Sequence, residues 1–493
     1  MVTLDCPPVR SYSSYTLLSP SELLRKRLRD ALRRVRASHG PVLVSAAVVV
    51  SSLDLLDPFA RAGALGLDRL YWERPDAGTA LLGIGAAWSV EAGAAEGARA
   101  WQALLRDAVI DDHDGGSGHL AGPLLIGGFA FDPCRPSTPL WDGYPAGRLT
   151  LPRLLLSTVG GVTTLTANLL VGPDRKAESD LAAVLRLAAD VLMHRDEAGR
   201  DRGDVCVSDV RSREEWEELV AEGAVACGDG LFEKVVLARS VRVRADQSFD
   251  AASALRHLRA MYPAAYIFAV AQGHARSGSS TGRTDEDTCF LGATPERLVR
   301  LTDGMVDVAC LAGSAPRGAT ATEDECAGQA LLRSEKNGAE HAVVVRTVRA
   351  ALDDLCTDLS VPGAPRLLRL PNVQHLYTPV EGRVREGVGV LDLVARLHPT
   401  PAVGGYPRDA ALRFIHEREQ LDRGWYAGPV GYVDRHGEGE FAVALRSALL
   451  RGAEATLFAG CGIVADSRPA DEYAETCLKL RPMLGALAAI RFS

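Results

Sequence analysis

Lys234-Val-Val-Leu-Ala-Arg-Ser-Val-Arg-Val243 is an apolar, β-branched run that reads as a strand opening on a lysine. Lysine is scarce in this chain: five of the 55 basic side chains are lysine and the rest are arginine. Arginine serves a charged surface at least as well but stays protonated, whereas a buried ammonium can release its proton and act as a base. Lys234 therefore marks a position where chemistry or ligand contact is expected. Two further lysines stand beside carboxylates, Lys336 in Ser334-Glu-Lys-Asn-Gly-Ala-Glu-His341 and Lys479 in Glu472-Tyr-Ala-Glu-Thr-Cys-Leu-Lys479. Helical i,i+4 pairing accounts for Lys479 after Glu475 and leaves Lys336 open, but it does not account for a lysine on a strand.

On either side of that strand the chain mixes α and β throughout. Helical spacing is expected over Ser212–Ala226 and Ala251–Met261, with a strand at Ala265–Ala271. Upstream come a helix at Ser21–Ala37, strands at Val42–Val50, Leu149–Leu156 and Val162–Leu170, and a helix at Lys176–His194. The charged span Arg195–Asp204 is the expected joint, dividing residues 1–204 from 205–493. Gln272–Asp287, rich in Gly, Ser, Thr and Asp, reads as a mobile hairpin loop. Within it Gly278-Ser-Ser-Thr-Gly282 matches a nucleophile elbow but lacks the helix that motif needs after it. Gly460-Cys-Gly-Ile-Val464 lacks the third glycine of a dinucleotide fingerprint and does not open a helix.

Bulk properties exclude several classes. The length of 493 residues suggests roughly three domains of ~150 residues, and 47% hydrophobic content is ample for large cores. A net charge of -8 gives no basic field for nucleic acid. Ten cysteines without a Cys-x-x-Cys pair exclude a readable zinc ribbon or dense disulfide framework, which fits a reducing cytoplasm. The N-terminus has no basic and apolar leader pattern, and the apolar run Pro41–Leu53 is too short to span a bilayer, so neither export nor a membrane anchor is expected.

Carboxylates then suggest a site. Asp324–Cys356 reads as one strong helix with Val344, Val348, Leu352 and Leu355 on one face, and Glu340 one turn earlier on that face. A carboxylate turned inward must be neutralised, hydrogen-bonded or bound to a metal; pairing with Lys336 or Arg349 would also serve. Pro469–Ile490 reads as a helix with Glu472, Glu475 and Lys479 in a row beside its apolar stripe. These are either surface pairs or, together with Glu340, ligands for a hard cation such as magnesium. Glu296, in Gly292-Ala-Thr-Pro-Glu-Arg-Leu298, occupies a Pro-containing turn between apolar runs and can be held at a strand end. A basic Lys234 beside a protonated acid would form an acid–base couple, each group tuned away from its ordinary pKa. Arg446, a charge in the expected strand Phe441–Leu450, asks for an anionic partner.

Taken together, Lys234–Arg239, Gly292–Leu298, Gly313-Ser-Ala-Pro-Arg317, Ser334–Asn337 with Glu340-His341, His398-Pro-Thr-Pro-Ala-Val-Gly-Gly405, Arg423-Gly-Trp-Tyr-Ala-Gly428 and Gly460–Lys479 resemble the chorismate-utilising enzymes, most closely the isochorismate synthases. The resemblance runs in order over about 250 residues, and Ile126-Gly-Gly-Phe-Ala-Phe-Asp132 extends it weakly into the N-terminal half. It implies an α/β fold of the α+β type, with large, mainly antiparallel sheets flanked by helices around a central cleft, the two halves forming one unit.

By the same resemblance, Lys234 is the base that activates water and Glu296 the acid that protonates the departing hydroxyl, water entering chorismate at ring C2 as the C4 hydroxyl leaves. Glu340 and Glu475 are the implied magnesium ligands, with Glu472 and Glu335 as acidic supports. Tyr426, Arg446, Lys479 and the backbone of Gly460, Cys461 and Gly462 are expected at the substrate, as are His398 and Thr400. Related amine-forming synthases carry a glutamine where Lys234 stands, so water rather than ammonia, a chain working without a glutamine amidotransferase subunit, and a monomer are expected. Salicylate synthases share the lysine and add pyruvate elimination. A non-catalytic chorismate-binding protein is the alternative of a different class, against which the retained Lys234, Glu296, Glu340 and Glu475 argue. The product would open menaquinone, catechol-siderophore or salicylate-derived routes.

Overall fold

The computed structural model describes residues 19–35, 40–111, 120–172, 177–193, 205–273, 287–369 and 373–488. Alternating apolar runs of this chain pair almost wholly antiparallel, in two sheets that share one long strand, Gly147–Val159. In the first sheet the order is Val109–Asp111, Val42–Val50, Val162–Val171, Gly147–Val159, Thr79–Val90, Arg69–Arg74, Tyr266–Gln272, Thr288–Thr294, Ser447–Arg451, Glu454–Ile463 and Lys234–Ala245. The second runs from Gly147–Val159 through Leu124–Phe129, Pro429–Asp434, Gly439–Val443, Arg297–Thr302 and Met305–Pro316 to Val373–Val384. Strands from both sides of residue 204 pair directly, Trp72 opposite Phe268 and Gly127 opposite Gly431.

Large aromatic side chains from the two sheets meet in one core: Trp72, Phe290 and Phe458 from the first with Phe129 and Phe441 from the second. Trp72 and Tyr432 touch edge to face across the gap, with ring centroids 6.2 Å apart. A second core lies between the outer face of the first sheet and the helices Pro20–Arg34, Leu56–Ala64, Ala177–Leu192, Ala251–Met261 and Pro469–Leu487. Helices Ala321–Arg333, Glu335–Leu352 and Val390–Leu397 cover the second sheet. Among the described residues no helix is long and apolar enough to cross a membrane.

Two expected elements are broken, each by a local backbone preference. The helix over Asp324–Cys356 is two helices, Ala321–Arg333 and Glu335–Leu352. Ser334 is extended (φ -72, ψ 109) and its hydroxyl accepts from the Asn337 N–H at 3.3 Å, so a capping serine inside the periodic run restarts the helix. Cys356 begins a strand instead. The expected strand Phe441–Leu450 is interrupted between Val443 and Ser447, and Arg446 sits there at φ 47. The joint at 195–204 and residues 274–286 of the Gly-rich loop, with the elbow-like Gly278–Gly282, lie outside the described residues.

Candidate active site

Lys234 opens its strand, paired with Tyr406 on one edge, while Val235 pairs with Ile463 on the other. Gly462 in the neighbouring strand lacks the Cβ that would lie 2.5 Å from Lys234 Cε, so the lysine side chain can run across that strand. Its ammonium forms an ion pair with Glu340. Glu340 is directed there by its helix, whose Val344, Val348 and Leu352 are buried against the second sheet. Glu340 thus has Lys234 as a partner.

Glu296 lies between the strands Thr288–Thr294 and Arg297–Thr302. Its backbone is held on both sides, the N–H donating to Thr294 Oγ1 at 3.3 Å and the carbonyl accepting from the Val443 N–H at 2.9 Å. Burial pushes its carboxyl up to about 7, against the pull of Lys234, Lys479 and Arg446, the three cations it faces. An acid half-protonated near neutral pH is suited to delivering a proton.

Arg446 has a left-handed backbone, a conformation costly for a residue with a Cβ, and its side chain faces Tyr426, Glu475 and Glu296. Its carbonyl accepts from the Ala293 N–H at 3.1 Å. Burial lowers its guanidinium, opposed by Tyr426, Glu475, Tyr262 and Glu296. Lys479 Nζ bridges Glu475 Oε1 at 2.6 Å and the Gly460 carbonyl at 2.9 Å. Burial works to raise the Glu475 carboxyl, but Lys479, Arg446 and Lys234 bring it below its ordinary value. Burial does raise Glu472, which accepts from the Ser467 hydroxyl at 2.8 Å and meets the Cys461 thiol. Tyr426 stacks on Phe458 at 5.1 Å, and burial pushes its phenol up.

Lys234, Glu296, Glu340, Arg446, Glu475 and Lys479 are thus brought to one place from five separate segments, Glu475 and Lys479 sharing the helix Pro469–Leu487. Gly460, Cys461 and Gly462 sit in the ladder opposite Ala238, Leu237 and Val236, and the Gly460 carbonyl is taken by Lys479. What these glycines offer is space, since a Cβ at Gly460 would lie 2.7 Å from the Leu237 carbonyl and 3.2 Å from the Tyr426 hydroxyl. His398 stands apart from the lysines and glutamates. Its Nε2 meets the Phe131 carbonyl at 3.1 Å, burial lowers it to about 4, and its charged neighbours are Arg408 and Asp132. Thr400 is buried, and its hydroxyl has no hydrogen-bond partner among the described residues. Glu335 is exposed.

His375, which lies in none of the motifs quoted above, belongs to the cluster, facing Arg446, Lys479 and Glu475. Its Nδ1 meets the Ser314 hydroxyl at 2.8 Å, and burial lowers the imidazole to about 4, helped by Arg446 and Lys479 and opposed by Gly313 and Glu475. Along Gln374-His-Leu-Tyr-Thr378, Gln374, Leu376 and Thr378 are buried on one face, which leaves His375 and Tyr377 on the other, a division that the residue types themselves do not show.

The donor set suits magnesium. Glu340 and Glu475 are carboxylates that both face Lys234, and magnesium takes one or two carboxylates while keeping waters and binding an anionic substrate. Among the described residues no three His, Cys, Asp or Glu side chains converge as a protein-only cage, and Glu472 is tied to Ser467.

The chain is 40% identical over 475 residues to the salicylate biosynthesis isochorismate synthase of Pseudomonas aeruginosa, covering 95% of this chain and 94% of that protein. It is 35% identical over 476 residues to the isochorismate synthase MenF of Bacillus subtilis, covering 95% and 98%. The solved structure of MenF, the menaquinone-specific isochorismate synthase from Escherichia coli, superposes with a TM-score of 0.75 at 25% identity, covering 94% of this chain and 99% of that one. With residues 30–488 matching the description of the chorismate binding enzymes as well, the chain belongs to that family.

Proposed function

We propose that this protein is an isochorismate synthase, converting chorismate to isochorismate by adding water at C2 while the C4 hydroxyl leaves. The observation that carries the reading is Glu296, raised to about 7 by burial yet facing Lys234. Lys234, as the base, takes a proton from water as the oxygen bonds to C2. The ring double bonds shift, and the C4–O bond breaks as Glu296 gives its proton to the departing hydroxyl. One proton is taken and one delivered, so the substrate is isomerised without net consumption of water, and the pair resets by returning the proton.

Arg446 and Lys479 bind the two substrate carboxylates, with Tyr426, His375 and Thr400 lining the ring and enolpyruvyl group. His398, two residues before Thr400, is anchored at the Phe131 carbonyl. Magnesium, when bound, supplies positive charge for the ring carboxylate. Glu340 and Glu475 would hold it, with Glu472 beside them. Lys234 on the water side makes an ammonia-supplying subunit unnecessary, and the chain is proposed to act as a monomer. All nine described cysteines are free thiols, in keeping with a cytoplasmic site of action.

The test is incubation of the purified protein with chorismate, with and without magnesium, and product separation by chromatography with mass detection. A magnesium-dependent product isobaric with chorismate but eluting separately supports the reading. Salicylate with pyruvate would replace it with the salicylate synthase activity, and no conversion by folded protein would leave a chorismate-binding protein.

A further inference from the structure

The strand that carries Lys234 is incompletely paired. One edge is covered along its length by Glu454–Ile463. On the other, Gly405–Tyr406 covers Lys234 and Val235, and Val205–Asp209 covers Val241–Ala245. Between them, among the described residues, no strand pairs with Val236–Ser240 on that edge, although the Val210 N–H reaches the Ser240 carbonyl at 3.2 Å at its far end. Two side chains fill that gap: the Ala238 N–H donates to Glu419 Oε2 at 2.8 Å, and Arg423 Nη2 donates to the Val236 carbonyl at 2.7 Å.

Glu419 and Arg423 are 2% and 3% exposed and pair as a fork, Nε to Oε1 at 2.7 Å and Nη2 to Oε2 at 2.5 Å. The remaining Nη1 donates to the Val403 carbonyl at 3.0 Å, and Gly404 next to it accepts from the Val236 N–H, also at 3.0 Å. The guanidinium lies 4.2 Å over the Phe131 ring, whose residue also accepts from His398. Tyr426 follows three residues on, its N–H donating to the Arg423 carbonyl at 2.8 Å. One buried ion pair therefore fixes the mutual position of the Lys234 strand, the Thr400 loop and the Tyr426 turn. A buried ion pair contributes little net stability compared with apolar packing, so stability alone does not explain it.

We infer that Glu419 and Arg423 are positioning residues for the reaction, standing in for an absent strand so that Lys234 is held in register with the loop bearing Thr400. This rests on the proposed isochorismate synthase activity. A displacement of the base by about 1 Å can cost about 100-fold in rate, mainly in kcat because ground-state contacts to the substrate remain.

The test compares Arg423→Lys, which keeps charge but loses the fork, and Glu419→Gln, which keeps shape but loses charge. The control is Leu28→Ala, a cavity in the outer core far from the site. Measured are kcat, KM for chorismate, Tm and amide hydrogen exchange over Val236–Ser240. The inference expects kcat lowered roughly 10- to 100-fold with KM within about three-fold, faster exchange in that segment, and unchanged kcat in the control at a comparable loss of Tm. Folded variants with near-normal kcat, or a kcat loss equalled by the control, would overturn it. If the wild-type protein does not convert chorismate, the activity proposal falls by itself. Exchange then decides this inference, and unaltered protection of Ala238 in both variants sinks it.

Discussion

Replacing Glu296 by glutamine should abolish turnover and at the same time make the folded protein more stable in mild alkali. Burial moves the carboxyl from an ordinary 4.5 to about 7 even though Lys234, Lys479 and Arg446 oppose the shift. The folded chain therefore keeps a proton that the unfolded chain releases. Stability associated with this group is fully present below about pH 4.5, declines as pH rises, and is gone above about pH 7. A shift of roughly 2.5 units at about 1.36 kcal/mol each makes the lost stability roughly 3 kcal/mol. Glutamine cannot ionise and escapes that loss. Urea unfolding of wild type and Glu296→Gln across pH 4 to 8.5 should show similar stabilities at the acid end, with the variant gaining up to about 3 kcal/mol by pH 8. In the active protein, kcat/KM should fall about ten-fold per pH unit above about 7, as free Glu296 loses the proton it must donate. A stability difference that does not change with pH, or a variant weaker than wild type at pH 8, would refute the assignment of Glu296 as a buried, protonatable acid.

Three other outcomes follow from the same geometry. Lys234→Ala should lower kcat by about 100- to 10,000-fold without loss of the folded circular-dichroism spectrum, and near-normal turnover would remove Lys234 from its role as base. Gly462→Ala places a Cβ 2.5 Å from Lys234 Cε, so the side chain must move aside; steady-state kinetics should show roughly 100-fold lower kcat with little change in Tm. Glu340→Ala removes both a carboxylate and the partner of Lys234, and titration should show the magnesium concentration for half-activity rising at least about ten-fold, with weaker chorismate binding; an unchanged magnesium response would contradict its place at the ion.

Elements with unbroken periodicity were legible from the chain itself. Val42–Val50 and Ala251–Met261 have the bounds that their apolar spacing predicts, because nothing inside them competes with the backbone ladder. Ser334 and Arg446 show where periodicity fails. A serine able to cap its own backbone splits a helix, and a left-handed residue splits a strand without leaving a glycine as a sign. The site was legible as residue types, since a lysine on a strand and inward carboxylates are anomalous wherever they occur. Its pairings were not. The sequence offers Glu340 both Lys336 and Arg349, whereas its pairing with Lys234 comes from the approach of the Glu335–Leu352 helix to the Lys234 strand, which no local spacing shows. His375 escaped because a histidine on an alternating strand has no local mark that separates a cleft from solvent. Glu419 and Arg423 are spaced as an ordinary helical surface pair, and a π-helical turn at Ile415–Glu419 inside the fold makes them a buried one.

The central claim is that Lys234 activates water for attack at C2 while Glu296 releases the C4 oxygen. The most direct measurement is turnover of chorismate in water enriched in heavy oxygen, with mass spectrometric location of the label in the product. The account predicts one heavy oxygen per isochorismate, at C2, in the wild-type protein and none formed by Lys234→Ala. Isochorismate free of label would mean that the hydroxyl migrates within the substrate, and would contradict the role given to Lys234.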